Sequence, residues 1–265
     1  MNILVCVKQV PKEEDMKLDP VTRTLIRSQG TGVLSEYDAY ALEMAVRLTE
    51  EDGGSVTVVS MGPPQAESVL RYCLSLGADH AVLLSDRTLA GADAYATATT
   101  LSAAVRHLEN DGNRFALILC GQQASDSDTS LVMPELAEAL GLPQVSFVKN
   151  YQFHEGSLCV TKLTDDGETL LELSLPAVMS VGKTDFEPRF PNIKRKLAAN
   201  RAKIEVYDAA GLGLDVSEVG ANGSRTIVGD SYFPERAKNC TEIMGQTTEE
   251  KVNAFLPILR SIIAR

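Results

Sequence analysis

The stretch GQQASDSDTSLVMPELAEAL, residues 121–140, concentrates residue types that can hold a phosphate group. It follows an apolar, strand-like run, FALILC (115–120), and leads into a helical pattern. Gly121, Ala124, Ser125, Ser127 and Ser130 are small enough for a backbone to approach an anion, and the Ser and Thr hydroxyls add donors. The loop has no lysine or arginine, and none is required. Free N–H groups at a helix N-terminus, with the helix dipole behind them, bind phosphate on their own. A carboxylate beside a phosphate is repulsive, so Asp126 and Asp128 should point away, towards loop amides or a ribose. Pro134 is tolerated only in a first helical turn, which places the helix start within 129–133. The same spacing also fits an ordinary strand–helix loop capped by Asp128 or Thr129. Spacing alone favours the ordinary loop, because a small-residue loop is less specific than GxGxxG or a P-loop.

Other chemistries find no constellation. The cysteines Cys6, Cys73, Cys120, Cys159 and Cys240 form no CxxC pair, and the three histidines are scattered, so no zinc or iron–sulfur spacing exists. No residue reads as a nucleophile or general base with a partner. A formal charge of −11 argues against a sequence-independent grip on nucleic acid. The opening MNILVCVKQVP is too short in its apolar part for a signal peptide. No segment approaches the roughly 20 apolar residues of a membrane span. The expected setting is a reducing cytoplasm, without membrane insertion.

The elements that would position the loop alternate in type. ILVCV (3–7), SVTVVSM (55–61), HAVLLSD (80–86) and FALILC read as buried strands. Between them fall helical patterns near 38–50, around Ala66–Cys73 and near 94–109. Ser35 and Asp38 have capping-box spacing for the first helix, Gly77 suits the end of the second, and Asp93 suits the cap of the third. This alternation implies an α/β fold with a doubly wound, mostly parallel sheet. Beyond residue 144, VSFVKNYQFHEGSLCVTKL, TLLELSL and AVMSVG read as strands joined by short turns, an antiparallel extension of that sheet. From Lys183 regularity fails, and a proline-containing loop of that length is functional or docked on something. The tail closes in a helical pattern at 248–264 that Pro257 should kink or split. The expected division is an α/β domain over 1–183 and a loop-plus-arm segment over 184–265.

Taken together, these segments resemble the electron-transfer flavoprotein β subunit. GQQASDSDTSLVMPELAEALGLP resembles its adenine-nucleotide segment, ILVCVKQVP its opening strand, and LSEYDAYALEMAVRL and VVSMGPPQAESVLRYCLSLGAD its two further nucleotide-contacting stretches. TKLTDDGETLLELSLPAVMSVG is similar to its signature, and the likeness continues through EPRFPNI into RTIVGDSYFPER. Gln122 replaces a usual basic residue, Leu131 a usual glutamine, and LAANRA a usual lysine-rich run. A universal-stress-type nucleotide module would show a G-x-x-G…G-S loop, and an ATP-pyrophosphatase an S-G-G-x-D-S loop; the sequence has neither.

The resemblance implies a flavodoxin-like or adenine-nucleotide-α-hydrolase-like domain paired with a larger α subunit that carries the electron-shuttling FAD. It implies an adenosine pocket of Cys6, Ser35, Glu36, Tyr37, Asp38 and Met61, with phosphates on Gly121, Gln122, Gln123, Ala124, Ser125, Asp126, Ser127, Asp128, Thr129 and Ser130. GADAYATATTL (91–101) is similar to a segment of relatives, mostly from anaerobes, that hold FAD in the β subunit, which brings in Asp93, Tyr95, Ala96 and Thr97. FAD is therefore expected, with AMP the alternative. NADH is implied as donor, with ferredoxin-linked electron bifurcation. Glu187, Pro188, Arg189, Phe190, Pro191, Asn192 and Ile193 are implied as the loop that docks on an acyl-CoA dehydrogenase or similar flavoenzyme.

Overall fold

The computed structural model describes residues 1–12, 32–110, 112, 114–154, 157–227, 229 and 240–263. The chain divides into two compact units, Met1–Gly229 and Asp230–Arg265.

The first unit opens with β1 (Asn2–Cys6) and a small antiparallel pair, β2 (Gln9–Val10) and β3 (Val33–Leu34). It continues through α1 (Glu36–Asp52), β4 (Ser55–Met61), α2 (Glu67–Leu76), β5 (His80–Leu84), α3 (Ala94–Glu109), β6 (Leu117–Gly121) and α4 (Val132–Leu140). Then come β7 (Gln144–His154), β8 (Ser157–Thr164), β9 (Gly167–Leu173), β10 (Ala177–Val181), α5 (Ile193–Ala199), β11 (Glu205–Tyr207) and the single turn α6 (Gly220–Gly223). One nine-stranded sheet runs in the order β11-β5-β4-β1-β6-β10-β7-β8-β9. Every neighbouring pair from β11 to β7 is parallel; β8 and β9 add the antiparallel extension. The expected doubly wound, mostly parallel α/β fold is thus the observed one.

Two corrections concern strands. AVMSV is no part of the antiparallel extension: β10 inserts in parallel between β6 and β7. Its five residues are all buried, as a strand covered on both faces requires. The irregular segment after Lys183 also returns to the sheet, where β11 pairs with β5 at the far edge and α5 packs against α2. The turn expected at His154-Glu155-Gly156 lies in part outside the described residues, although β7 and β8 on either side pair antiparallel.

Side-chain alternation along the strands splits the core in two. Ile3, Val5, Val56 and Val58 face α1 and α2, whereas Leu4, Cys6, Val59 and Val82 face α3 and α4. At about 25 cal/mol per Å² of apolar area, these two layers dominate the stability of the unit.

The second unit contains α7 (Thr248–Ile263). A capping box starts it: Thr247 Oγ1 accepts from the Glu250 N–H at 3.2 Å, and Glu250 Oε2 accepts from the Thr247 N–H at 3.4 Å. Pro257 does not split this helix, which is continuous across it. Val252, Phe255, Leu256, Ile258, Ile262 and Ile263 all stand exposed on it.

Candidate functional site

The strand order reverses between β1 and β6. From β1 the chain moves by way of α1 to β4 on one side, and β6 lies on the other. In open α/β sheets the crevice outside the carboxyl ends at such a switch point is where ligands bind. Cys6 closes β1 there, Gly121 closes β6, and the two strands pair in register with Cys6 beside Cys120. Met61 ends β4 at the same edge.

Asp38 fastens this crevice. The capping-box spacing with Ser35 is not realised, since Ser35 makes no side-chain cap bond to α1. Instead the Asp38 carboxylate accepts from the Lys8 N–H at 2.7 Å and from the Gly121 N–H at 3.1 Å. It thereby joins the N-terminus of α1 to the ends of both strands. Two donors beyond the helix outcompete the local cap because they would otherwise be buried without a partner. A Cβ on Gly121 would come within 2.2 Å of Asp38 Oδ1, so only glycine lets the carboxylate in. Burial pushes the Asp38 carboxyl up to about 7, against the pull of the two N–H groups and of the Lys8 charge.

Lys8 supplies the cation that the loop lacks. Its Nζ lies 2.6 Å from Asp126 Oδ1, and the Asp126 side chain is only 1 % exposed. This carboxylate is therefore buried against Lys8. Ser127 and Asp128 donate their N–H groups to Ala124 O at 3.1 and 2.8 Å, which folds the loop into a turn. Asp128 and Ser130 hold left-handed φ values of 56°. Asp and Asn tolerate that region best, and for serine it is a strained setting. Among the described residues, the amides of Gln123, Ala124, Ser125, Thr129 and Ser130 make no hydrogen bond to protein. The following helix begins at Val132, inside the expected window, with Pro134 in its first turn. Neither Asp128 nor Thr129 caps it; Leu131 holds that place without a side-chain bond. The expected cap by Asp128 or Thr129 is thereby corrected.

Ser35, Glu36 and Tyr37 at the start of α1 face Gln123, Ser125 and Asp128 across a cleft of about 260 Å³. Two stretches far apart in sequence, at 35–37 and 123–128, thus meet at the switch point. Gln122 turns to Gly182, whose Cβ position would lie 2.8 Å from its Oε1, and its backbone N–H bonds to Val181 O at 2.9 Å. The segment 93–97 belongs to a separate set of contacts. Asp93 caps α3 by accepting from the Ala96 N–H at 2.9 Å, as its position suggested. Its other oxygen accepts from the N–H groups of Arg225 and Thr226 at 2.8 and 2.9 Å, and Arg225 stacks 3.9 Å over the Tyr95 ring. Burial raises the Asp93 carboxyl, but these hydrogen bonds outweigh it and hold it below the usual carboxylate range. Ala96 is buried under the cap, and Thr97 continues the first turn of α3.

The docking-loop candidates lie elsewhere, along the flank of α1. Glu187 accepts from Tyr40 Oη at 3.3 Å, and Arg189 pairs with Glu43 and Glu50 at 2.8 and 2.7 Å. Phe190 and Ile193 are 92 % and 80 % exposed and do not pack back onto this chain. Asn192 caps α5 by accepting from the Lys194 N–H at 2.8 Å.

Sequence reasoning missed Lys8, Tyr40, Glu43 and Glu50. The available signal for Lys8 was its place two residues beyond the first strand, at the edge where the loop after β6 also begins.

A model of the electron transfer flavoprotein domain matches residues 22–212 of this chain. The chain belongs to the electron transfer flavoprotein β-subunit family. It is 40% identical over 262 residues, 98% of each chain, to the electron transfer flavoprotein subunit beta of Thermoanaerobacterium thermosaccharolyticum. It is 36% identical over 261 residues, again 98% of each chain, to the caffeyl-CoA reductase-Etf complex subunit CarD of Acetobacterium woodii. The protein FixA of Azotobacter vinelandii is 38% identical over 256 residues, 95% of this chain and 91% of that one. Electron transfer flavoprotein β subunits pair with an α subunit, and a flavin-related cofactor follows from the family. Among the described residues, the switch-point crevice gathers backbone N–H groups that have no protein acceptor. No helix among the described residues is long and apolar enough to cross a membrane.

Proposed function

We propose that this chain is the β subunit of a heterodimeric electron-transfer flavoprotein and holds FAD by its ADP moiety in the crevice between β1 and β6. In this reading Ser35–Asp38, Cys6 and Met61 wall the adenosine, and the loop Gly121–Ser130 takes the pyrophosphate on its uncommitted amides, those of Gln123, Ala124, Ser125, Thr129 and Ser130. The subunit passes electrons from NADH, through the FAD of the α subunit, to or from an acyl-CoA dehydrogenase-type enzyme. Ferredoxin is the second acceptor in an electron-bifurcating version of the complex. A relative named as part of a caffeyl-CoA reductase complex supports a CoA-linked flavoenzyme as the partner.

The observation that carries the reading is the meeting of uncommitted loop amides and the first turn of α1 around one cleft, a few residues ahead of the start of α4. The residues fit a nucleotide diphosphate. Ser35 and Ser125 are the small members of the cleft lining, beside the carboxylates of Glu36 and Asp128, and Lys8 binds Asp126. Gln122, where the resemblance has a basic residue, leaves the phosphate charge to the amides and to the dipole of α4. FAD would supply hydride and single-electron chemistry, so the chain's own residues need only bind, orient and exclude water. This accounts for a site with no nucleophile. Asp93 and Tyr95, drawn to 224–226, would act on the flavin end through the shape of the α3 N-terminus.

The test is anaerobic. The α/β pair is purified, FAD and AMP are counted, and NADH is added with and without ferredoxin and an acyl-CoA substrate. Two FAD per pair and reduction by NADH are expected. One FAD with one AMP would leave a simple carrier, and two FAD that NADH does not reduce would remove both the donor and bifurcation.

A further inference from the structure

Helix α1 serves both regions described above. Its first turn lines the nucleotide cleft, and its middle carries Tyr40, Glu43 and Glu50, which hold the segment 187–189. Glu43 is the unusual member. Its side chain is 3 % exposed, yet it carries a charge. Oε2 accepts from the backbone N–H of Arg189 at 3.1 Å and from its Nε at 2.8 Å, while Oε1 accepts from Arg47 Nε at 2.7 Å and Arg189 Nη2 at 3.3 Å. Burial raises the Glu43 carboxyl, but the Arg189 and Arg47 hydrogen bonds outweigh it and keep it below the ordinary carboxylate range. Glu50 completes the grip with two bonds, at 2.7 and 3.0 Å. Arg47 is fixed in turn by stacking 4.5 Å over the Phe186 ring.

All of this organisation lies one residue before Phe190, which touches almost nothing. A loop that presents exposed Phe190 and Ile193 would ordinarily collapse onto nearby apolar surface. It stays out because its backbone is held by a buried charge, which cannot be abandoned without leaving a desolvated carboxylate unpaired.

We propose that Glu43 is a positioning residue that fixes the loop 187–193 through Arg189, so that Phe190 and Ile193 stand preorganised to dock on a flavoenzyme partner. This rests on the reading of that loop as the docking surface. Preorganisation lowers the ordering cost of association, so its loss appears in the partner's KM and leaves the chemistry alone. It also makes Glu43 and Arg189 a single unit, whose removal in two ways should not add.

The experiment compares the wild-type α/β complex with Glu43→Gln, Arg189→Gln, the double variant, and Phe190→Ser as docking control. A purified acyl-CoA dehydrogenase that the wild-type complex reduces serves as the probe. Measured are KM and kcat for that enzyme, bound cofactor, and hydrogen exchange of the Arg189 amide. Each single variant should raise KM on the order of tenfold with kcat and cofactor content unchanged. The double variant should be no worse than either single one, and the Arg189 amide should exchange at least about tenfold faster while α1 stays protected. A raised KM for Phe190→Ser beside an unchanged KM for Glu43→Gln overturns the role of Glu43 alone. An unchanged KM for Phe190→Ser overturns the docking reading and the role of Glu43 with it. Loss of cofactor in Glu43→Gln would reassign Glu43 to general support of α1.

Discussion

Asp38 does in one side chain what the sequence would assign to several. It sits at the start of a helix, where an acidic residue suits the dipole, and its spacing from Ser35 suggests a local cap. The carboxylate instead spans the switch point to Lys8 and Gly121. Such a bond across 83 residues has no signature in local spacing, which is why Asp38 is legible as a site residue and its role is not. Its chemistry gives a testable sign. The folded-state carboxyl is raised from 3.8 to about 7, so the folded protein holds a proton that the unfolded chain releases. Stability from this group is full below the unfolded value and is lost as pH rises through about 7. Asp38→Asn, neutral at every pH, removes that dependence. The variant's melting temperature relative to wild type is therefore expected to climb between pH 4 and 7.5, measured by thermal melts across the range. A difference that stays flat with pH would mean that Asp38 is ionised throughout.

At the scale of elements, the four alternating strands and their helices were legible because buried parallel strands and amphipathic helices carry opposite periodicities. The helix windows came out well for the same reason: α3 occupies 94–109 and α4 starts inside 129–133. AVMSV was placed wrongly because a five-residue apolar run says that a strand is buried but not which neighbours bury it. β11 was missed because EVY is short and its pairing with β5 is entirely non-local. The loop between β6 and α4 lies between these extremes. Its composition was readable, its left-handed residues were not, and Lys8 comes from another strand. Its shape depends on the Ser127 N–H bond to Ala124 O at 3.1 Å. Ser127→Pro deletes that donor and is expected to weaken nucleotide retention by roughly tenfold, with the core melting as before. The measurement is bound nucleotide after extended gel filtration of the α/β complex, alongside a melting curve. Full retention would show that the turn does not shape the site.

For the whole molecule, the two compact units divide the labour in a way that burial makes plain. Among the described residues the buried core, with both layers and the strands, belongs to Met1–Gly229, whereas α7 buries no side chain. A helix of sixteen residues that exposes Val252, Phe255, Leu256, Ile258, Ile262 and Ile263 is poorly stable alone in water, and apolar exposure of that kind marks an interaction surface. The capping box at Thr247 and Glu250 starts the helix, but it cannot offset so much exposed hydrocarbon. We expect the α subunit to cover this face in the proposed heterodimer. The expectation follows from separating the units. A chain ending at Gly229 should fold with a melting temperature within a few degrees of the full chain, since removing exposed segments costs little. It should bind the α subunit more weakly by at least about a hundredfold, because roughly six apolar side chains lose their cover. Calorimetry of the two chains, and titration of each with the purified α subunit, decide the matter. Equal affinity for the α subunit would place the interface entirely on the first unit and leave the apolar face of α7 to another partner.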